Sequence, residues 1–401
     1  MKKDNLQEKT ADNNSITNND NYQPVDYQFK LLYAIGTIIV LCDHCRGAFT
    51  LLDNWFPYGT FHLGIFVFSS GYFYKSQYDK TPLKFIVKKA KSLILPLYAW
   101  NLFYALVTII ITAAGFHLGS AEVNLYQIFI APWFNGQQFV LNLGGWFVPP
   151  LFLSQGVITL IRFLLIKRDG FAKDLFVLFL CFLIGCYGVY LSNNGFVTQN
   201  NWRLLATRTM YFLPFYSLGY FYHIYLKKYM SKISNELMLG CIFGTSYLLI
   251  LLHNGVFWFT LSSSNFRGTN PIIVYVEGII GIAFWVRVSK ILEPALGKKK
   301  TVLMIADNSY SIMINQFAGF MLVKGFFAFL HQYFGLISIF DMNEFHTNIW
   351  YYYFPRALKQ SALIYIAAGI TVSVYMQKCV TYIKNSFHKI MQQQSSLNKV
   401  Q

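Results

Sequence analysis

The chain has 401 residues, of which 55% are apolar and only 12% are charged. Aromatic residues alone make up 19%, more than a soluble core needs, so the composition excludes a water-soluble globular protein and indicates a polytopic membrane protein. The formal net charge is +16. Because no soluble domain carries these basic residues on one face, we do not expect a nucleic acid as a partner.

The two ends of the chain differ from its apolar body. Residues 1–26 are polar and rich in asparagine, cannot bury a core and are predicted to form a disordered cytoplasmic tail. No apolar segment of a cleavable signal peptide follows Lys2 and Lys3. Residues 386–401 are predicted to form a second polar cytoplasmic tail, which leaves residues 27–385 as the membrane domain.

Apolar runs of about 20 residues predict an all-α bundle of about ten transmembrane helices. The basic residues support this count, because an N-terminus inside the cell places 26 of the 33 Lys and Arg residues on the cytoplasmic side. Both termini would then be cytoplasmic, in a multi-pass protein of the plasma membrane. The predicted helices cover residues 31–52, 60–76, 92–115, 145–166, 174–192, 207–226, 236–254, 271–289, 302–330 and 359–381.

Three ionisable residues lie close together in the first predicted helix, namely Asp43, His44 and Arg46. Such side chains cost free energy inside a membrane, so their presence there indicates a function. His44 is therefore the first candidate catalytic residue, and a structural histidine bonded between helices is the alternative. Cys42 and Cys45 have a C-x-x-C spacing, but no second pair completes a metal site, so we expect them to pack between helices.

Glu277 and Lys30 occupy positions from which they could assist His44. In the eighth and first predicted helices, Glu277 and His44 both lie on the order of 10 Å below the outer surface. Asp43 is a poorer partner for His44, because adjacent residues on a helix point about 100° apart. Lys30 precedes His44 by nearly four turns, so the two share a helix face. The alternatives to a role in the site are a buried salt bridge for Glu277 and a cytoplasmic membrane anchor for Lys30.

Five segments carry motifs that occur in a fixed order along residues 27–385. The segments are Lys30 to His44, with its basic residue, apolar run and histidine; Phe66-Val67-Phe68-Ser69-Ser70-Gly71-Tyr72; Gly145-Trp146-Phe147; Arg208 followed by Tyr211-Phe212-Leu213-Pro214-Phe215 and by Leu218-Gly219-Tyr220; and Asn308-Ser309-Tyr310-Ser311-Ile312. Together these segments resemble the membrane acyltransferase-3 family.

The chain departs from the family pattern at three places. Lys30 stands where the family commonly has arginine, and Tyr33 stands where it often has a second basic residue. Relatives often have a histidine shortly after the fifth motif, where this chain has Asn315 and Gln316.

The resemblance implies an O-acyltransferase that moves an acyl group, usually acetyl from acetyl-CoA, to a hydroxyl of a cell-surface polysaccharide or lipid-linked glycan. It implies that His44 is a catalytic base or acyl carrier, with Glu277 as its candidate partner. Lys30 would hold a phosphate of the donor. Acetyl-CoA is a substrate in this scheme, and we expect neither a bound cofactor nor a metal.

Further site residues follow from the same resemblance. Arg46, Arg208 and His62 are expected to stabilise an oxyanion or to position the acceptor. The aromatic outer loop at residues 341–353 is expected either to hold a glycan or to lie at the membrane interface. Motif residues expected to have structural roles are Asp43, Ser70, Gly71, Tyr72, Trp146, Ser309 and Tyr310.

Two other functions stay open on the residues alone. A polysaccharide polymerase or ligase would also use basic and aromatic outer loops. A transporter of a lipid-linked glycan would also place Arg and Lys in the outer half of the membrane, but it predicts no acetyl-CoA dependence, no essential histidine and broken helices in paired positions. The five ordered motifs favour the acyltransferase.

Overall fold

The structure, a computed structural model, describes residues 25–45, 52–197, 201–253 and 255–397, with side chains except at residues 357 and 387–397. Within these ranges the chain is helical, and its β pairing is limited to one isolated bridge between Thr260 and Asn265. The first eight helices are α1 (Tyr27–His44), α2 (Tyr58–Tyr72), α3 (Pro82–Lys89), α4 (Leu95–Ala113), α5 (Leu125–Phe129), α6 (Ala131–Phe134), α7 (Val148–Leu164) and α8 (Phe171–Asn193).

The second half of the chain is equally helical, and α1 lies at the centre of the bundle. The remaining helices are α9 (Trp202–Phe221), α10 (Lys227–Met230), α11 (Asn235–Leu252), α12 (Pro271–Leu296), α13 (Lys300–Asp307), α14 (Ser309–Phe334), α15 (Met342–Thr347) and α16 (Ala362–Leu397). Helix α1 packs against α2, α12, α13, α14 and α16, whereas α9 packs against α2, α7 and α8.

Seven helical segments of the described chain are long and apolar enough to cross a membrane, which confirms an all-α membrane protein. The predicted number of ten and the cytoplasmic position of both termini stay predictions. Helix α2 has 15 residues, or about 22 Å, and is shorter than the hydrocarbon core of about 30 Å. The seven segments are Pro82–Ala113, Val140–Leu164, Phe171–Asn193, Asn235–Leu252, Pro271–Leu296, Ser309–Phe334 and Lys359–Ser386.

The structure differs from the prediction at two helices and also changes both predicted tails. The first helix was expected to cover residues 31–52, but α1 ends at His44, so His44 lies at the end of its helix and not within it. The segment 302–330 was expected to be one helix, but it breaks at Asn308 into α13 and α14. Asp26, at the end of the predicted first tail, caps α1 by accepting a hydrogen bond from the Phe29 amide at 3.1 Å. Residues 1–24 of that tail lie outside the described residues, and the backbone of the predicted second tail continues α16 to Leu397.

Helices α2 and α9 approach each other so closely that two motif positions have no room for a side chain. A methyl group at Gly71 would lie 1.9 Å from the Tyr216 carbonyl oxygen, and one at Gly219 would lie 1.9 Å from the Phe68 carbonyl oxygen. Small residues allow this approach between membrane helices. The glycines of the second and fourth motifs therefore fix the packing of α2 on α9.

A buried cluster of charges joins the loop after α2 to α7 and α8. Arg162 donates to Asp79 at 2.9 Å and to Asp174 at 2.8 Å, and Lys173 donates to Asp79 at 3.0 Å. The Arg162 guanidinium also lies 4.0 Å from the centre of the Tyr220 ring. Arg162 and Lys173 therefore act in folding as well as in the positive-inside pattern.

We predict that Gly71→Ala and Gly219→Ala each lower the free energy of unfolding by about 1–3 kcal/mol, because the added methyl group overlaps a backbone carbonyl. Chemical unfolding of the purified protein in detergent measures the change. Gly240→Ala is the matched control, since its methyl group would meet no atom within 4 Å and alanine favours a helix over glycine. Equal stability of all three variants would contradict the close approach.

We predict a pH-dependent loss of stability in Asp79→Asn. Burial raises the pKa of Asp79, but Arg162 and Lys173 outweigh burial and hold this pKa below its usual value. A lowered folded-state pKa stabilises the protein above the unfolded pKa of about 4, and this contribution is lost as the pH falls through the folded-state pKa. The variant should thus be about 3–5 kcal/mol less stable at pH 7, with a smaller difference below pH 4.

The exposed Asp169 provides a control for this experiment. Asp169→Asn removes the same charge from a loop, and its stability at pH 7 should equal that of the wild type. A stability difference between Asp79→Asn and wild type that stays constant from pH 7 to pH 3 would show that the carboxylate charge is not what stabilises the cluster.

Candidate functional site

A cavity of about 280 Å³ lies around the C-terminal end of α1. Its walls come from α1, the start of α2, the segment before α7, the loop after α11, and α14. Polar and aromatic side chains share the lining, as they do in sites for small ligands. Lining side chains relevant to chemistry are Asp43, His44, His62, Trp146, Trp258, Gln316 and Trp350.

The hydrogen bonds of Gln316 fix the tautomer of His44. The Gln316 amide nitrogen donates to the Met313 carbonyl at 3.0 Å, so its oxygen is the atom that faces His44. His44 Nδ1 lies 2.9 Å from this oxygen and must donate to it, because an amide oxygen only accepts. In the neutral ring Nε2 then carries the lone pair. A neutral imidazole with an available lone pair is what a general base or a nucleophile requires.

Asp43 and His62 form a second pair on the cavity wall. The His62 Nδ1 atom donates to the Tyr58 carbonyl, and its Nε2 lies 3.8 Å from an Asp43 carboxylate oxygen. The predicted site residue His62 and the predicted structural residue Asp43 therefore both line the cavity.

The rings around His44 give the cavity an aromatic wall. The His44 ring centre lies 5.1 Å from that of Phe317 and 6.2 Å from that of Trp350. Lys324 donates to the Ile349 carbonyl at 2.6 Å and lies 4.9 Å from the centre of the Tyr352 ring. The buried Lys324 thus anchors the segment that carries Trp350, so part of the aromatic loop 341–353 belongs to the site.

Arg208 is buried behind the wall of the cavity. Its guanidinium donates to the Asn135 carbonyl at 3.0 Å and to the Ser262 carbonyl, and it lies 4.6 Å from the centre of the Trp146 ring. Arg208 is 1% exposed and is not among the residues that line the cavity. Arg208 therefore contacts two residues of the cavity wall, Trp146 and Ser262, and its expected role toward an acceptor or oxyanion stays a prediction.

Glu277 and Arg46 were both predicted as site residues, but only Glu277 lies within the described residues. Glu277 is buried on α12, but it does not line the cavity, and the observed partner of His44 is Gln316. His44 is therefore hydrogen-bonded to Gln316 of α14 and not to Glu277 of α12. Arg46 lies outside the described residues.

Lys30 lies at the other end of α1 and forms an ion pair with Asp307. Its side chain is 36% exposed and that of Asp307 is 54% exposed, so another anion can compete with Asp307 for Lys30.

Tyr310, a residue of the fifth motif, donates to the Leu93 carbonyl at 3.1 Å. With Ser309, it begins α14 directly after the break that follows Asp307.

Tyr72 ties the second motif to the start of α1. Its hydroxyl donates to Asp26 at 2.8 Å, and its ring stacks on Phe29 with a centre-to-centre distance of 3.6 Å. Gly71 permits the close packing of α2 on α9, and Ser70 is partly buried next to it. Tyr72 and Gly71 therefore both take part in packing α2 against its neighbouring helices.

Gln316 is the site residue that the sequence pattern did not identify. It was noticed only as a departure from the family, at a place where relatives often have a histidine. That position follows the fifth motif by one helical turn, which was the available signal. Trp258 and Ser262 also gave no signal, because the loop between α11 and α12 has no motif of its own.

We predict that His44 is an Nδ1–H tautomer when neutral. Nitrogen-15 NMR of the histidine-labelled protein should show a protonated Nδ1 and an unprotonated Nε2 for the signal that His44→Asn removes. In Gln316→Leu, which removes the acceptor, the ring should shift towards the Nε2–H form that predominates in free histidine. A wild-type ring with its proton on Nε2 would contradict the arrangement.

Comparison with known proteins identifies the family. The family model Acyl_transf_3, an acyltransferase domain, matches residues 26–352, which is most of the chain. No curated protein matches the chain, and no solved structure matches it. Both cavity histidines, the five motifs and the buried Arg208 lie within the matched residues. The chain therefore belongs to the acyltransferase-3 family, as its motifs predicted, and is a multi-pass membrane acyltransferase.

Proposed function

We propose that the protein transfers acetyl from acetyl-CoA to a hydroxyl of a cell-surface polysaccharide or lipid-linked glycan in the plasma membrane. Membership of the family supports acyl transfer in general. The observation that carries the proposal is the hydrogen bond from His44 Nδ1 to Gln316, which leaves Nε2 as the basic nitrogen of a cavity-lining ring.

In the proposed reaction His44 acts as the general base. Nε2 accepts the proton of the acceptor hydroxyl as its oxygen attacks the thioester carbonyl carbon. The tetrahedral intermediate then expels the CoA thiolate, which takes the proton back from His44 and leaves as the thiol. As the acyl carrier instead, Nε2 would attack the thioester carbonyl carbon and expel the CoA thiolate. The acceptor hydroxyl would then attack the acetyl-imidazole and pass its proton to the thiolate, which releases the acetyl ester, CoA thiol and the neutral imidazole.

Other charged groups of the site have supporting roles. His62 lines the cavity with its Nε2 atom 3.8 Å from an Asp43 carboxylate oxygen, and it is proposed to position the acceptor. Arg46, which the sequence places two residues after His44, is proposed for the oxyanion of the intermediate or for the acceptor. Glu277 is buried on α12 outside the cavity lining and has no assigned step in this reaction.

The acceptor is proposed to bind against the tryptophans of the cavity. Trp146, Trp258 and Trp350 all line it, and aromatic faces pack well against the apolar faces of sugar rings. A volume of about 280 Å³ is at the lower end for small-molecule sites, so one sugar residue and the acetyl group would fill it. The rest of a glycan would then extend from the cavity.

Lys30 is proposed to bind a phosphate of CoA. It lies 14 residues before His44 on the same helix, which is about 21 Å along the axis. A donor with phosphates at one end and a thioester on a long arm matches this separation. The donor phosphate would replace Asp307 as the partner of Lys30.

The proposal predicts that His44→Ala lowers acetyl transfer by about 100-fold or more, and that Gln316→Leu lowers it by about 10-fold or more because the tautomer is lost. Transfer of radiolabelled acetyl from acetyl-CoA to polysaccharide in isolated membranes measures both effects. His253→Gln, at an exposed histidine, should retain wild-type activity. Full activity of His44→Ala would reject the mechanism.

We predict opposite effects at the two members of the Lys30 ion pair. Lys30→Met should raise the KM for acetyl-CoA about 10-fold with kcat nearly unchanged, because a charge-assisted contact to the donor is lost. Asp307→Asn should lower this KM, because Lys30 no longer has a competing carboxylate. Steady-state kinetics at varied acetyl-CoA measure both. If both variants raised KM, the ion pair would be structural and Lys30 would not bind the donor.

A further inference from the structure

A second cavity, of about 300 Å³, lies at the opposite end of the bundle from His44. Its walls come from α9, α10, α11 and α12, and Gln28 of α1 contributes at one side. Gln28 precedes His44 by 16 residues on α1, or about 24 Å along the helix axis. This cavity is therefore separate from the cavity around His44, and its proposed function does not depend on the proposed reaction.

The walls of this second cavity are mostly apolar and partly exposed. Leu218, Met238, Ile279 and Ala283 line it, and each is neither fully buried nor fully exposed. Helix α11 packs mainly on α12 and buries only Ile242, Ser246 and Leu249, so a gap is left between α11 and α9. In a bilayer, such an apolar gap is suited to a hydrocarbon chain.

Three basic residues, Lys227, Arg287 and Lys290, lie at the polar end of this cavity. Lys227 is paired with Asp26 at 3.0 Å. Arg287 donates to the Met230 carbonyl at 2.8 Å, and Lys290 donates to the Ser231 carbonyl at 2.9 Å. Carbonyl partners are neutral, and none of the residues that line this cavity is acidic, so the positive charge of Arg287 and Lys290 is not compensated there.

We propose that this second cavity binds an anionic phospholipid. One acyl chain would lie between α9 and α12, and the phosphate would lie beside Lys290 and Arg287. Basic pockets between transmembrane helices on the cytoplasmic side recognise anionic head groups in this way. The predicted topology places this end of α1 at the cytoplasmic surface, where Lys228 and Lys232 add to the positive charge. A zwitterionic lipid complements these charges less well, because it brings its own cation.

Native mass spectrometry of the full chain in neutral detergent tests the proposal. With equal concentrations of phosphatidylglycerol and phosphatidylcholine, the wild type should retain phosphatidylglycerol at least fivefold better. Ala283→Phe fills the apolar part and Lys290→Gln removes a charge at its end, and each should reduce retention of phosphatidylglycerol at least fivefold. Ile272→Phe is the matched control, since it adds bulk at an exposed position near the other end of α12 and should bind normally.

Several results would overturn the proposal. Equal retention of the two lipids would remove the role of head-group charge, and unchanged binding in Lys290→Gln would place the lipid elsewhere. Displacement of phosphatidylglycerol by inorganic phosphate or by acetyl-CoA at the same concentration would assign the cavity to a free anion or to the acyl donor. Lys290→Gln alters a partly exposed side chain, so this variant should fold. It therefore tests the proposal even if Ala283→Phe does not fold.

Discussion

A polar group inside an apolar bundle must find a partner, and the partners available to α1 determine most of this structure. Helix α1 is central, and three polar residues at its two ends bond to three different neighbouring helices. Asp26 accepts from Tyr72 of α2, Lys30 pairs with Asp307 of α13, and His44 donates to Gln316 of α14. These contacts orient α1 against the surrounding helices. They also fix which ring nitrogen of His44 is basic, so the same bonds that order the bundle prepare the site.

The two ends of α1 have different chemistry, and this separation suits group transfer across part of a membrane. The Lys30 end carries cations and an exchangeable ion pair, whereas the His44 end carries an imidazole in a cavity of tryptophans. A charged donor head could stay at the first end while its acyl group reaches the second. Arg208 and Lys324 support the second end from behind, since both are buried and bonded to backbone carbonyls of the cavity loops.

Much of the fold was predictable from the sequence, because long apolar runs in a membrane protein have few alternatives to helices. Each predicted helix overlaps an observed one, as 174–192 does with Phe171–Asn193. The break at Asn308 was not predicted, since asparagine within an apolar run gives no strong stop signal. His44 and His62 were identified as candidates from position and motif. Gln316 was not, because its contact with His44 joins residues 272 positions apart and depends on how α14 rotates against α1. Arg208 was predicted as a site residue, but its bonds to the Asn135 and Ser262 carbonyls were not predictable, because they join distant segments of the chain.

The central claim is that His44 performs acyl transfer to a surface glycan. Proton NMR of purified surface polysaccharide tests it most directly, with wild type, a deletion strain and a strain that expresses His44→Ala at normal membrane levels. The account predicts that O-acetyl signals disappear in both mutants while the polymer is still made. O-acetyl signals that persist in His44→Ala would contradict the role of His44, and a missing or shortened polymer in the deletion strain would contradict the proposed reaction.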